Sequence, residues 1–169
     1  MIAHTLILFV LPALLLAAAV WDIASFTIPN FLQVGLLAAF ALLMVVHPPG
    51  AGDFSMHLLA GFIGLVAGFT LFALGYIGGG DAKLFACVAL WFGIGDLLAY
   101  TLVASVFGGA LTLGLLAMRN WPLPAALASQ NWLLRLHDDA EGIPYGAALA
   151  AGAFFILSQS EIFRSVLAG

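Results

Sequence analysis

Long apolar runs, interrupted by glycine, proline and charged residues, make up most of the chain. A membrane-spanning helix needs about 20 predominantly apolar residues, and several runs reach or approach that length. The predicted spans lie near residues 2–21, 31–46, 56–77, 82–94, 97–118 and 145–167. The pattern therefore predicts an all-α, integral membrane bundle of about six transmembrane helices. The fourth span is short, so we expect it to be tilted or to begin within the protein.

Composition strengthens the membrane prediction. Of the 169 residues, 64% are hydrophobic and 7% are charged, and the mean hydropathy is +1.19. A soluble domain could not cover its surface with so few polar groups. We expect a single membrane-embedded domain over residues 1–169. The run Ala17-Ala18-Ala19 resembles a signal-peptide cleavage site, but no Lys or Arg precedes it, so we interpret residues 2–21 as the first span.

Charge and cysteine content exclude several classes of function. The net charge is −4 with only four Lys and Arg residues, which leaves no basic surface for a nucleic acid. The single cysteine, Cys87, cannot form an internal disulfide or a cysteine-built zinc site, and we expect it to be buried. We expect no metal ion and no cofactor.

Connections between the spans alternate between two sides of the membrane. One side receives residues 22–30, 78–83 and 119–144, which carry three of the four basic residues: Lys83, Arg119 and Arg135. The positive-inside rule makes this side cytoplasmic. In the long connection 119–144 an apolar pattern predicts an interfacial helix, which serves as either a surface linker or a gate over an active site. Its apolar face consists of Leu123, Leu127, Trp132 and Leu134.

Asp22 ends the first predicted span, in the segment Trp21-Asp22-Ile23. Ionisable side chains beside apolar spans cost free energy, and a carboxylate at a helix C-terminus faces the negative end of the helix dipole. A solvated interfacial acid is the structural alternative. The unfavourable position favours a catalytic role.

Asp81 follows three glycines and precedes a predicted helix. Its structural alternative is an ordinary helix N-cap, because Asp caps helices well and glycines commonly form the preceding turn. The glycines also permit close approach of an extended substrate backbone, and Gly80 could adopt a positive φ angle. We therefore interpret Gly78 and Gly80 as substrate-binding residues.

Asp22 and Asp81 lie at the same predicted depth and on the same side of the membrane. Two carboxyl groups that share a low-dielectric site do not both ionise easily, so one keeps a proton while the other acts as a base toward water. This pair can hydrolyse a peptide bond without a metal ion. We expect both groups near the cytoplasmic surface, in a pocket open to water and bordered by the connection 119–144.

Three segments resemble the type IV prepilin peptidase family. They are Asp22 followed by Ile28-Pro29-Asn30, the segment Gly78-Gly79-Gly80-Asp81-Ala82-Lys83-Leu84, and Ile143-Pro144-Tyr145-Gly146. That family belongs to the Gly-x-Gly-Asp membrane aspartyl proteases. The resemblance implies a protein of the bacterial cytoplasmic membrane, whose cytoplasm-facing pair Asp22 and Asp81 cleaves the leader of a prepilin just before its apolar segment. Membrane lipid and prepilin are the implied partners.

The chain departs from the family pattern in two places. Ser25, Phe26 and Thr27 stand where the family often has basic residues, which leaves substrate or lipid contacts there undetermined. The chain also lacks the cysteine-bearing insertion of the long bifunctional members. It thus resembles the short peptidases of tight-adherence (Flp-type) pilus systems, for which we do not expect N-methylation of the product.

Pro29, Asn30 and Lys83 are further candidates for substrate binding. Pro29 and Asn30 could instead start the second span, with Asn30 as its cap. Lys83 could instead extend to lipid head groups. Two other functions stay open: a related protease for preflagellins or signal peptides, and a small transporter or proton relay that uses intramembrane acids. A protease needs its two carboxyl groups within reach of one water, whereas a relay tolerates acids spaced along a path.

Overall fold

The computed structural model describes residues 1–123, 130–138 and 141–168, without the side chain of Ala51. These residues form seven helices and no strand. The helices are α1 (Ile2–Ser25), α2 (Asn30–Val46), α3 (Ala51–Ala73), α4 (Gly79–Arg119), α5 (Asn131–His137), α6 (Tyr145–Leu157) and α7 (Glu161–Ala168).

Several of these helices can cross a membrane. Within the described ranges α1, α3 and α4 are long and apolar enough to do so, and α6 with α7 would make a fourth span if this pair, bent by 45°, crosses as one. Helix α2 is apolar but has 17 residues. Large apolar side chains point outward, and Phe62, Val106 and Leu113 each expose more than 60% of their surface. The predicted all-α membrane bundle is therefore confirmed.

Helix α4 consists of two segments that fold back on each other at Gly93. This glycine has φ 69° and ψ −179°, a conformation that favours glycine and interrupts the helix. The rings of Phe85 and Tyr100 stack with centroids 5.6 Å apart, whereas a straight helix would separate them by about 22 Å. The chain thus reverses where the fourth and fifth spans were predicted to meet. The short fourth span corresponds to residues 79–92.

Some helix boundaries differ from the predicted spans. Helix α1 continues to Ser25, so Asp22 lies within its last turn rather than at its end. Helix α3 covers 51–73 instead of 56–77. The last predicted span, 145–167, is interrupted between Leu157 and Glu161. Backbone capping decides these ends, and hydrophobicity alone does not encode it.

Helices α3 and α4 pack with their backbones in close contact. A Cβ atom on Gly68 would lie 2.9 Å from the carbonyl oxygen of Ala82, and one on Gly64 would lie 2.7 Å from the Cβ of Ala89. Only glycine fits at such positions, and small residues of this kind allow membrane helices to approach closely. The start of α4, which carries Asp81, is thereby held against α3.

Candidate active site

Asp22 lies in the last turn of α1 and is 3% exposed. The helix ends at Phe26, whose φ of 53° is left-handed and whose N–H donates to the Asp22 carbonyl over 2.7 Å. The Asp22 side chain points to another helix, where its Oδ2 accepts a hydrogen bond of 3.1 Å from the backbone N–H of Ala147. Asp22 therefore caps the N-terminus of α6 from outside that helix.

Asp81 lies in the first turn of α4 and is 6% exposed. Its Oδ2 accepts a hydrogen bond of 3.0 Å from the backbone N–H of Gly78, the N-cap residue of the same helix. Its Oδ1 is buried and accepts no hydrogen bond from the described residues. Asp81 thus stabilises the helix start with one oxygen and leaves the other available for proton exchange.

The two carboxyl groups share one site. They interact electrostatically with each other, and the backbone N–H of Gly146 interacts with both. A Cβ on Gly146 would lie 2.9 Å from Asp22 Oδ2, so the first turn of α6 touches the Asp22 carboxyl directly. Asp22 and Asp81 therefore both lie beside the peptide group of Gly146.

Two helix N-termini converge on the acids. The first N–H groups of a helix lack partners within it, and the helix dipole makes that end attractive to negative charge. Gly78 at the start of α4 serves Asp81, and Gly146 and Ala147 at the start of α6 serve Asp22. The unfavourable dipole of α1 at Asp22 is thus opposed by the favourable dipole of α6.

In the part of the chain that the structure describes, the acids do not lie in the expected pocket open to water. Both acids expose only a few per cent of their surface, so the prediction of an open site is wrong for this conformation. The first turns of α4 and α6 pack around Ile28, and this packing buries the two acids. Ile28 is buried, and its side chain reaches both Gly80 and Gly146.

The predicted glycine roles are refined by this packing. A Cβ on Gly80 would lie 3.2 Å from the Cβ of Ile28, so the room beside Gly80 is filled by the chain itself. Among the described residues, positive φ glycines are Gly75 and Gly93, so Gly80 does not use the positive φ angle that glycine permits. Gly78 is the N-cap of α4 in an extended conformation.

The start of α2 lies beside α4. It contains Pro29 and Asn30, whereas Lys83 belongs to the first turns of α4. Pro29 is the N-cap residue and Asn30 the first helical residue, without a side-chain cap, so the alternative in which Asn30 caps the span is wrong. The exposed Lys83 Nζ instead donates to Asn30 Oδ1 over 2.9 Å. This bond joins two of the three segments that carry the resemblance. Whether these residues bind substrate stays a prediction.

Several contacts at the site were not predicted. Gln33 is buried, and its Nε2 donates to the Gly80 carbonyl over 3.4 Å. Arg119 donates to three backbone carbonyls that precede α6. Gly146 and Ala147 supply the amides for Asp22. The segment Ile143-Pro144-Tyr145-Gly146 carried part of the family resemblance and so indicated a functional region. It did not indicate that backbone amides are the groups that contact Asp22.

The connection 119–144 contains one described helix, α5. It packs against α1 and α4, and Leu136 is its buried residue, whereas Trp132 and Leu134 of the predicted apolar face are exposed. Leu127 lies outside the described residues, as do 124–129 and 139–140. The described part of the connection therefore lies beside the two helices that carry the acids.

An apolar groove lies beside α4 and α6, and neither Asp22 nor Asp81 lines it. It has a volume of about 550 Å³, and its lining includes Ile77 and Tyr145, the neighbours of Gly78 and Gly146. It continues along α4 past Thr101, Ser105 and Gly108. In the described part of the chain, no three or more His, Cys, Asp or Glu side chains form a group able to hold a metal ion.

Two buried carboxyl groups at one end of an apolar helical bundle define the chain as a membrane protein with a two-acid site. Residues 9–113, more than half of the chain, match the family model described as the type IV leader peptidase family. The prepilin leader peptidase/N-methyltransferase of Bacillus subtilis (strain 168) is 33% identical over 141 residues, which cover 76% of this chain and 54% of that relative. The chain therefore belongs to the type IV leader peptidase family.

The chain spans about half the length of this curated relative. No solved structure matches the chain significantly.

Proposed function

We propose that this protein is an aspartic endopeptidase that removes the leader peptide from type IV prepilins, with Asp22 and Asp81 as its catalytic pair. The supporting observation is the shared site, in which two buried carboxyl groups from α1 and α4 face the Gly146 amide. Membership of the type IV leader peptidase family supports the substrate class. A proton relay would not require its acids to share one peptide group.

The chemistry needs one protonated and one ionised acid. The ionised carboxylate takes a proton from water as the water oxygen attacks the carbonyl carbon of the scissile peptide. The protonated acid donates its proton to the carbonyl oxygen, which yields a tetrahedral diol. Collapse of the diol breaks the C–N bond, and the leaving nitrogen receives a proton from the acid that gained one from water. At the same time a diol hydroxyl returns a proton to the other carboxylate. A carboxylic acid and an amine leave, and the pair returns to its initial protonation.

The free Oδ1 of Asp81 suits the exchange of a proton with the substrate. Asp22 Oδ2 is engaged by the Ala147 amide, which would hold that carboxyl in a fixed orientation. The acids are buried, so water and substrate need an opening movement, and lids and loops commonly provide one in enzymes. The apolar groove lined by Ile77 and Tyr145 would hold the substrate's apolar segment near the residues that flank the acids.

We further propose that the protein resides in the bacterial cytoplasmic membrane with the acids on the cytoplasmic side. Three basic residues lie in segments at the end of the bundle that carries the acids: Lys83, Arg119 and Arg135. Arg164 lies in α7, after the interruption between Leu157 and Glu161. This bias agrees with the positive-inside rule. A prepilin of the tight-adherence (Flp) type is the proposed substrate, because the chain resembles the short peptidases of those systems.

The decisive experiment incubates the purified full chain in lipid with a candidate Flp-type prepilin and a candidate classical type IV prepilin. Mass spectrometry of the products gives the bond that is cleaved. We expect a single cut immediately before the apolar segment of the Flp-type substrate. Cleavage of neither substrate by a folded protein would contradict the proposed function, and cleavage of the classical prepilin alone would contradict the Flp assignment.

A further inference from the structure

We propose that Arg119 is a positioning residue for the acid pair, which acts through the segment that leads into α6. This inference rests on the proposed function for its kinetic consequences. Arg119 ends α4, and its guanidinium reaches the chain on both sides of residues 139–140. Nε donates to the carbonyl of Leu136 over 2.9 Å, and Nη2 donates to the carbonyls of Glu141 and Gly142 over 3.2 and 3.1 Å.

The anchored segment leads directly to the amides that hold Asp22. Gly142 is followed by Ile143, whose carbonyl accepts from the Tyr145 N–H over 2.8 Å in a tight turn. Pro144 within that turn is fully buried and is the N-cap residue of α6. Only Ile143 and Pro144 separate Gly142 from α6, so a displacement at Glu141 and Gly142 passes to the first turn of α6.

The site tolerates little displacement. A Cβ on Gly146 would already lie 2.9 Å from Asp22 Oδ2, and the Ala147 amide is at hydrogen-bond distance from the same oxygen. Movement of α6 toward Asp22 would push the carboxyl aside, and movement away would remove its hydrogen bond. A misplacement of about 1 Å in a catalytic group can reduce the rate about 100-fold.

Arginine suits this role better than lysine. A planar guanidinium offers five donors in a fixed arrangement and can serve three carbonyls at once, whereas an ammonium is a point charge on a flexible chain. Either cation would be favourable at the C-terminal end of α4. Arg119→Lys therefore keeps the charge at the helix end and removes the fixed geometry, which separates positioning from simple charge.

The test compares the full chain in lipid with Arg119→Lys, Arg119→Gln and a control, Arg135→Gln, which removes an exposed basic residue from the same connection. Three quantities are measured for each: kcat and KM with the prepilin, the thermal unfolding temperature, and hydrogen–deuterium exchange at the amides of residues 145–148. We expect both Arg119 variants to lose about 10- to 100-fold in kcat with KM changed less than about threefold. The same variants should show faster exchange at these amides, and the control should match the parent protein.

Each other outcome contradicts the proposal in a distinct way. A raised KM with unchanged kcat would make Arg119 a substrate-binding residue. A lower unfolding temperature with unchanged kcat per folded molecule and unchanged exchange would make it a stabilising residue only. If the parent protein cleaves no prepilin, the proposed function fails, and the exchange measurement still decides whether Arg119 fixes the start of α6.

Discussion

The backbone N–H of Ala147 donates a hydrogen bond of 3.1 Å to Asp22 Oδ2, across 125 positions of the chain. One carboxyl group in the last turn of α1 thus caps the N-terminus of α6. The same oxygen cannot serve as an ordinary solvated acid, because it is buried and already engaged. This relationship makes the catalytic proposal dependent on the geometry between α1 and α6.

Asp22→Asn and Asp81→Asn should each abolish cleavage, with a loss of at least about 100-fold, and leave the protein folded. An amide is nearly the same size as a carboxyl group but cannot exchange the required proton. Product formation is followed by mass spectrometry, and folding by circular dichroism and gel filtration. Asp53→Asn is the matched control, since Asp53 is an exposed acid in the first turn of α3. Substantial cleavage by either active-site variant would remove that residue from the mechanism.

Gly146→Ala should reduce kcat about 100-fold, because the new methyl group would press on the Asp22 carboxyl. Overpacking of this kind also costs about 1–3 kcal/mol of stability. Gly114→Ala is the control: a Cβ on Gly114 meets no atom within 4 Å, and alanine favours a helix. Normal turnover by Gly146→Ala, with Gly114→Ala equally active, would show that the tight contact is not needed.

Chelators should leave the activity unchanged. Two carboxyl groups suffice to activate water, and the described residues contain no group of three or more His, Cys, Asp or Glu side chains able to hold a metal ion. The measurement is cleavage after incubation with EDTA and with 1,10-phenanthroline, followed by dialysis. If activity disappeared and one specific metal restored it, the two-acid mechanism would have to be replaced.

His57→Phe should destabilise the fold by about 1–3 kcal/mol with little effect on kcat. His57 Nδ1 lies 2.9 Å from the carbonyl oxygen of Leu90, just before the reversal at Gly93, and a carbonyl can only accept. His57→Asn restores a donor near the same place and should recover part of the loss. Thermal unfolding in detergent gives the stability, and a large fall in kcat with unchanged stability would link the reversal to catalysis instead.

The apolar runs predicted the helical class and the boundary between the fourth and fifth spans, where the chain reverses at Gly93. These features follow from local composition and the length of a span. The pairing of Asp22 with Asp81 could be predicted because both lie beside helix ends on the same side. Asp96 Oδ2 accepts a hydrogen bond from the backbone N–H of Glu161, the first residue of α7.

Contacts that depend on tertiary packing could not be predicted. Gly146 and Ala147 act through backbone amides, which no side-chain pattern reveals. The room at Gly80 could be assigned to substrate only while the position of Ile28 was unknown. Burial of the acids was missed for the same reason, because the sequence of a helix end does not show whether another part of the chain covers it.

The close contact between α3 and α4 sets the axial register of Asp81. Ala82 follows Asp81 directly, and its backbone touches α3 at Gly68. A slip of one residue is about 1.5 Å along a helix, and it would replace the glycine by a side chain where no space exists. Helix α3 supplies none of the proposed catalytic groups, yet its contact with α4 fixes the position of Asp81 along the helix axis. If the bond cut in a prepilin is chosen by its distance from the hydrocarbon boundary, Gly64 and Gly68 set that distance, because they fix the position of Asp81.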